Sequence, residues 1–438
     1  MKKRYMAIRF MSAKIQNIGD WGLGNREYFR IFVKNMDKTM KRTLLFFLLC
    51  MAFVACSQQG KRVNHVSGEA APEDSAAVVQ LRYAQGFTVR YLADGVRLVE
   101  VQDPQTDEDR MPVGYAFALV PRGSEAAVPE GYERVEVPIR STITMTALQL
   151  SNFTALNAHD YIKGITGTKN LYNEDILRRV EDGRIQKIGM EGNFDPELIL
   201  AANPDVIFIS PFKRGGYDAI KETGITLIPH LGYKELSPLG QAEWMKFVAL
   251  FIGREREANE AFAGIEQRYN TLKQRVADQS PKRPTDQSPK RPNDQSPKRP
   301  TVFSGEMHGG NWYAVGGRNH LAQLFRDAGA DYIIHDDNTG GVNLEYEQLY
   351  ATAANADYWR ILNSYHGDFS YEALRASEPR NALFKAFRDR HVIYCNMRQT
   401  PYYELAPIQP DVLLADLVAI FHPELLPAHE GTFYRLLK

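Results

Sequence analysis

Loops that mix aromatic and cationic side chains carry the most chemistry in this sequence, and the chemistry they offer is recognition. Ser210-Pro211-Phe212-Lys213-Arg214-Gly215-Gly216-Tyr217 sets two cations between aromatic rings, and Asn396-Met397-Arg398-Gln399-Thr400-Pro401-Tyr402-Tyr403 sets one before a tyrosine pair. Glu306-Met307-His308-Gly309-Gly310-Asn311-Trp312-Tyr313 has the same character. Aromatic side chains give flat contact area, and Lys and Arg pair with carboxylate or catecholate oxygens. Lys213, Arg214, Tyr217, His308, Trp312, Tyr313, Arg398, Tyr402 and Tyr403 are therefore the expected ligand-binding set, suited to a bulky, planar, negatively charged molecule.

Signatures of catalysis are missing from the sequence: there is no G-x-S-x-G elbow, no phosphate-binding GxxxxGK[ST], no G-x-G-x-x-G after a strand and no H-E-x-x-H. His308, His335, His366 and His391 have no ligand-type spacing, so no metal held by the protein itself and no cofactor are expected. Three cysteines, Cys50, Cys56 and Cys395, exclude a disulfide framework and a four-cysteine zinc site.

The chain balances 53 basic against 53 acidic side chains, but residues 1–56 hold 11 of the basic and 3 of the acidic ones, which leaves 42 against 50 after Cys56. An acidic body argues against nucleic acid as a partner. Lys38, Lys41 and Arg42 precede the apolar run of residues 43–55, a basic flank and short core of the secretory kind. The run ends in Phe53-Val54-Ala55-Cys56, which resembles the bacterial lipoprotein box and implies a lipid on Cys56. Residues 1–35 fit no part of such a signal and read as an untranslated extension, with 36–55 as the signal peptide. Residues 56–80, poor in large apolar groups, read as a flexible tether.

The elements that must position the loops alternate. Asp94-Gly95 between FTVRYLA and VRLVEV predicts a β-hairpin, followed by strands at 114–120 and 133–139. Helices near 146–158, 196–202 and 216–223 alternate with strands ending at 165, at 206–209 and at 226–228, so residues 81–236 form an α/β lobe. Ser237-Pro238 opens a helical face running through residue 276, a long helix with a bend near Gly253 as an option, which at 1.5 Å per residue reaches about 57 Å and can join two lobes. DQSPKRP then recurs three times within 277–300, where proline forbids a helix and leaves a polar surface loop. Alternation resumes over 301–438, the second lobe. Ala201-Ala202-Asn203-Pro204-Asp205 before VIFI is echoed by Ala353-Ala354-Asn355-Ala356-Asp357 before YWRI, as expected of two similar halves. The fold class expected is α/β, with two Rossmann-like lobes joined by a single long α-helix and an extra N-terminal β-hairpin region.

That order of lipobox, tether, lobe, helix and lobe resembles the periplasmic substrate-binding lipoproteins of ABC importers for iron-siderophores, haem and cobalamin. FDPELILAANPDVIFIS, SPLGQAEWMKFVALFIG, NWYAVGGRNHLAQLFRDAGADY and PDVLLADLVAIFHPEL carry the resemblance, over about residues 135–438. The resemblance implies a monomeric, lipid-anchored, periplasm-facing receptor that captures a small-molecule metal chelate in an inter-lobe cleft. It delivers the cargo to a permease and ATPase complex without chemistry; a single long helix between the lobes resists twisting, so small closure on binding is expected. It also implies permease docking through Glu197 and Glu347, with Glu345 the alternative to the latter if the register slips. For a haem cargo, His308 is the candidate axial ligand. Two rivals remain open: an envelope chelatase using His308 and Glu306, and a scaffold lipoprotein with a vestigial cleft.

Overall fold

The computed structural model describes residues 75–105, 114–169, 171–190, 193–211, 217–279 and 299–438, all within one compact unit, Asn64–Lys438. The signal peptide, Cys56, most of the tether and most of the DQSPKRP loop lie outside the described residues, as do Lys213 and Arg214.

The N-terminal region builds a four-stranded sheet of β1 (Phe87–Tyr91), β2 (Arg97–Val101), β3 (Tyr115–Pro121) and β4 (Glu133–Val137), in that order. Asp94 and Gly95 both take left-handed backbone, φ 62° and 74°, at the expected turn between β1 and β2. Strand alternation sends Phe87, Val99, Phe117, Leu119 and Val135 to the main core, and Leu98, Ala118 and Val120 to the opposite face. That second face is covered by Ala126, Val128 and Tyr132 of the β3–β4 connection.

The first lobe contains β5 (Thr142–Thr144), α1 (Ala147–Ala155), β6 (Ile162–Ile165), α2 (Glu174–Glu181) and β7 (Gln186–Lys187). It continues through a small hairpin of β8 (Gly189–Met190) and β9 (Asn193–Phe194), then α3 (Pro196–Ala202), β10 (Val206–Ile209), α4 (Asp218–Lys221) and β11 (Thr226–Pro229). Its sheet runs β11-β10-β5-β6-β7, all parallel.

The connecting run is two helices, α5 (Pro238–Ile252) and α6 (Glu255–Gln279), rather than one rod. Gly253 caps α5 in the left-handed region at φ 69°, a conformation that ends a helix and that glycine adopts without penalty. α5 is buried almost all round, because the β1–β4 sheet covers it. Phe87 meets Trp244 and Phe247 edge-on at centroid distances of 4.9 and 5.1 Å. The chain entering that sheet is fixed to α5 by two buried carboxylates. Glu243 accepts from the backbone of Arg82, Tyr83 and Ala84, and Glu235 from that of Gln85 and Gly86. α6 reaches Gln279, so the first residues of the expected loop are helical; the first proline comes only at Pro281.

The second lobe holds β12 (Thr301–Ser304), the antiparallel β13 (Glu306–His308) and β14 (Asn311–Val315), α7 (His320–Asp327), β15 (Asp331–Tyr332), β16 (Gly341–Leu344) and α8 (Tyr346–Ala353). β17 (Tyr358–Asn363), α9 (Tyr371–Ser377), α10 (Lys385–Arg388), β18 (Val392–Asn396), α11 (Tyr402–Leu405), α12 (Pro410–Phe421) and β19 (Arg435–Leu436) follow. Its main sheet runs β15-β12-β17-β18-β19, with only β19 antiparallel. Numbered by appearance, the first lobe has order 3-2-1-4-5 and the second 2-1-3-4-5, the two common doubly wound arrangements. The halves are similar without being copies.

The sequence echo has a physical basis. Asp205 accepts the Arg140 backbone N–H at 2.6 Å, and Asp357 that of Thr301 at 2.9 Å. Each carboxylate thus satisfies a backbone donor at the start of its lobe's first parallel strand while its own strand begins beside it.

Candidate ligand-binding site

Open α/β sheets bind ligands beyond the carboxyl ends of their strands, where the strand order reverses. In the first lobe that point lies between β5 and β10, and α1 begins directly after β5. Thr146 and Gln149 form a reciprocal capping box that fixes the first turn of α1.

Against this turn, between the lobes, lies a cavity of 420 Å³. Thr146, Ala147 and Tyr233 face it from the first lobe, and His320, Tyr402 and Tyr403 from the second. Thr146 and Ala147 also border a hollow of 350 Å³ lined by Thr166, Lys169 and Met190, so the two adjoin as one cleft. Met190 is 69% exposed there.

His320 opens α7 behind its cap Asn319. Its Nδ1 is enclosed, and the ring lies within hydrogen-bonding reach of the Glu235 backbone. Burial first, and then the charge of Arg360, hold its pKa down at about 4, so the imidazole is neutral near pH 7.

Arg360, on β17, is 6% exposed and meets no carboxylate within ion-pair distance among the described residues. Its Nε and Nη2 donate to the Tyr434 hydroxyl at 3.0 and 2.6 Å, and Nη2 reaches the cavity-lining Tyr402 hydroxyl at 3.5 Å. Burial works against the charge, but the phenol oxygens of Tyr434 and Tyr402 raise the guanidinium pKa, so it stays ionised. A buried cation whose direct hydrogen bonds go to hydroxyls, with Glu306 as the nearby acid outside ion-pair distance, leaves positive potential at the second-lobe wall.

Beside the cavity the lobes are joined by a latch. Glu404, 4% exposed on α11, accepts the backbone N–H of Tyr172 at 2.6 Å and of Asn173 at 2.9 Å. The Tyr172 hydroxyl donates to the Met397 carbonyl at 3.0 Å. Glu404→Gln replaces one acceptor by a donor facing an N–H, at a cost of about 1–3 kcal/mol. Hydrogen exchange at Tyr172 and Asn173 should accelerate by roughly tenfold or more; unchanged exchange would show that the lobes are held together by other contacts.

Among the sequence-based candidates, Tyr402 and Tyr403 line the cavity. Trp312 does not, and this corrects the expectation. It is fully buried, packed at tilted angles among Phe303, Trp359 and Phe384, with its Nε1 donating to the Ser304 carbonyl. Strand alternation turns Trp312 inward and Tyr313 outward. Tyr313 is half-exposed and lies over Gly341, where a Cβ would fall 2.1 Å from its hydroxyl. Tyr217 is also corrected: it is 9% exposed, stacks on Phe194 and bonds the Ser210 backbone within its own lobe. His308 is exposed at the end of β13, and Arg398 donates to the Ser364 carbonyl; neither lines this cavity. Sequence reasoning missed Tyr233, His320 and Arg360. His320 lies inside one of the segments carrying the family resemblance, whereas Arg360 in YWRI reads as an ordinary strand residue.

Glu197 and Glu347 are each the second residue of a helix, α3 and α8, that leads into a parallel strand. Asp195 caps α3, accepting from the Glu197 and Leu198 backbone. Both glutamates are exposed. Glu347 pairs with Arg380 at 3.1 Å, whereas Glu197 meets no cation among the described residues. Among the described residues, no helix is long and apolar enough to cross a membrane, and no group of three His, Cys, Asp or Glu is placed to hold a metal.

Comparisons with known proteins agree with this architecture. An uncharacterized lipoprotein of Methanocaldococcus jannaschii is 27% identical over 90% of this chain and 96% of its own length, and a second from that organism is 24% identical over 91% and 99%. Among solved structures, a periplasmic heme binding protein from Pseudomonas aeruginosa aligns with TM-score 0.50 and 19% identity over 65% of this chain and 93% of its own. A periplasmic binding protein from Veillonella parvula aligns with TM-score 0.50 and 14% identity over 73% and 97%. These structural likenesses concern the fold. The family model for periplasmic binding proteins matches residues 144–399, from the last residue of β5 to the loop before α11, and the chain belongs to that family.

Proposed function

We propose that this chain is the substrate-binding lipoprotein of an ABC importer. It is anchored through Cys56 and captures a metal chelate of the iron-siderophore type between its lobes for delivery to an inner-membrane permease and its ATPase. The observation that carries the reading is the 420 Å³ inter-lobe cavity, walled by Tyr233, Tyr402 and Tyr403 and backed by Arg360, which has no acidic partner among the described residues. Flat aromatic walls with an underlying cation suit a planar ligand bearing anionic oxygens. The lipoprotein names of the archaeal relatives support the anchor. Glu197 and Glu347 serve as docking points, because a carboxylate on each lobe can take bidentate bonds from permease arginines.

A second cargo class, haem or cobalamin, is favoured by His320. His320 lines the cavity as a neutral imidazole, the protonation state that ligation to a cargo metal requires. Such ligation would hold above pH about 4 and fail below it, as protonation takes up the lone pair.

Purification from the native envelope followed by visible spectroscopy and metal analysis tests the assignment. A coloured, metal-containing and chemically unchanged cargo is expected. A demetallated product would instead identify a chelatase.

A further inference from the structure

The end of the second lobe formed by α9 and α10 carries a depression of 620 Å³ ringed by Arg375, Arg388 and Arg390, with Tyr371 and Phe387 beneath. Both rings are nearly buried, at 4% and 6% exposure, and meet edge-on at 5.1 Å. The Arg390 guanidinium lies 4.4 Å from the Tyr371 centroid and that of Arg375 5.6 Å from Phe387. A guanidinium laid against a ring keeps its N–H edge available for an anion.

None of the three arginines forms an ion pair among the described residues. Asp389, the acid beside them in sequence, pairs with Lys385 at 3.1 Å, and the Arg388 side chain donates to the Leu383 carbonyl. Glu372 is the acid that lines the depression; Ser370 first, and then Arg390 and Arg375 from beyond ion-pair distance, hold its carboxyl pKa below the usual range. Basic residues in the last turn of a helix are favoured by its dipole, which is reason enough for Arg375 and Arg388 to stand at the ends of α9 and α10. It does not account for Arg390, which follows α10 in the left-handed region at φ 59°. Glycine or asparagine is the usual residue at such a position, so a charged residue held in that strained conformation points to a use.

We propose that this depression binds a phosphate ester group, gripped by the three guanidiniums over the Tyr371–Phe387 pair. The group comes either from a lipid headgroup, which would seat the lobe on the membrane, or from a soluble phosphate. Neither source involves the inter-lobe cavity, so this site stands or falls independently of the cargo assignment.

Arginine-selective labelling of the full chain with phenylglyoxal, mapped by mass spectrometry, tests it, with solvent-exposed Arg140 as the reference. The baseline is protein in neutral glycolipid vesicles without phosphate. Adding inorganic phosphate and including phosphatidylglycerol are the two arms. Several-fold protection of Arg375, Arg388 and Arg390 relative to Arg140 in the first arm identifies a soluble phosphate site, and in the second a headgroup site. Equal labelling throughout, or equal loss at Arg140, overturns the proposal. Arg390→Gly relieves the left-handed strain, so the fold should melt no lower than the parent while protection of Arg375 and Arg388 disappears. Persisting protection in that variant also overturns it.

Discussion

Glu197→Ala combined with Glu347→Ala should abolish uptake of the cargo while leaving its capture by the isolated protein unchanged. Each carboxylate stands at the same helical position in its lobe, exposed and outside the inter-lobe cavity. A charge-assisted hydrogen bond contributes about 1.5–3 kcal/mol, so losing both docking points should weaken permease association on the order of a hundredfold or more. The two sites differ. Arginines arriving at Glu347 must displace or share it with Arg380 at 3.1 Å, whereas Glu197 has no such competitor among the described residues. Arg380 keeps its bidentate pair with Glu378 after Glu347→Ala, so the single effect of Glu347→Ala should be no larger than that of Glu197→Ala. Transport in whole cells, measured beside cargo binding by the purified variant, checks this. Normal uptake by the double variant would remove these residues from the docking surface.

Asp416→Ala should lower stability by about 2–5 kcal/mol, because buried backbone donors that lose their acceptor cost about 1–3 kcal/mol each. Asp416 is 1% exposed on α12 and accepts the backbone N–H groups of Thr432, Phe433 and Tyr434 together with His429 Nε2. Without it the Phe433 and Tyr434 N–H groups remain enclosed and unsatisfied, whereas Thr432 and His429 lie close enough to the surface to reach water. The tail also carries Tyr434, whose hydroxyl bridges Arg360 and Tyr402, so cargo affinity should fall along with stability. Asp416→Asn keeps one acceptor oxygen and should fall between the parent and the alanine variant. Urea unfolding gives the energies; a loss below about 1 kcal/mol would mean that the tail is held by its apolar contacts.

Much of the fold was legible because its signals are local. Pro196–Ala202 and Val206–Ile209 are where an aspartate cap, a proline first turn and an apolar run place them. The internal echo marked a real equivalence, since Asp205 and Asp357 perform the same backbone bonding in both lobes. The connecting run was harder to read. Its apolar face continues across Gly253, but the left-handed cap at that residue divides it, and periodicity does not report backbone handedness.

The site was less legible because loop composition shows which residues are available, not which way they point. Trp312 and Tyr313 are neighbours of similar chemistry, and the pleat of β14 alone decides that one is core and the other surface. Arg360 lies in the middle of a buried strand, and its importance comes from Tyr434, 74 residues away in sequence. Glu404 likewise acts through Tyr172 and Asn173 of the other lobe. Such long-range pairings leave no local pattern.

The central claim is that the inter-lobe cavity holds a metal chelate, and titration of the purified protein tests it most directly. A ferric catecholate chelate, haem and cobalamin are added in turn, with tryptophan fluorescence and visible absorbance recorded. Saturable binding of one molecule per chain is expected for at least one of the three, and it should be lost when Ala147→Trp fills the cavity wall. No binding of any of them, or binding indifferent to Ala147→Trp, would contradict the account.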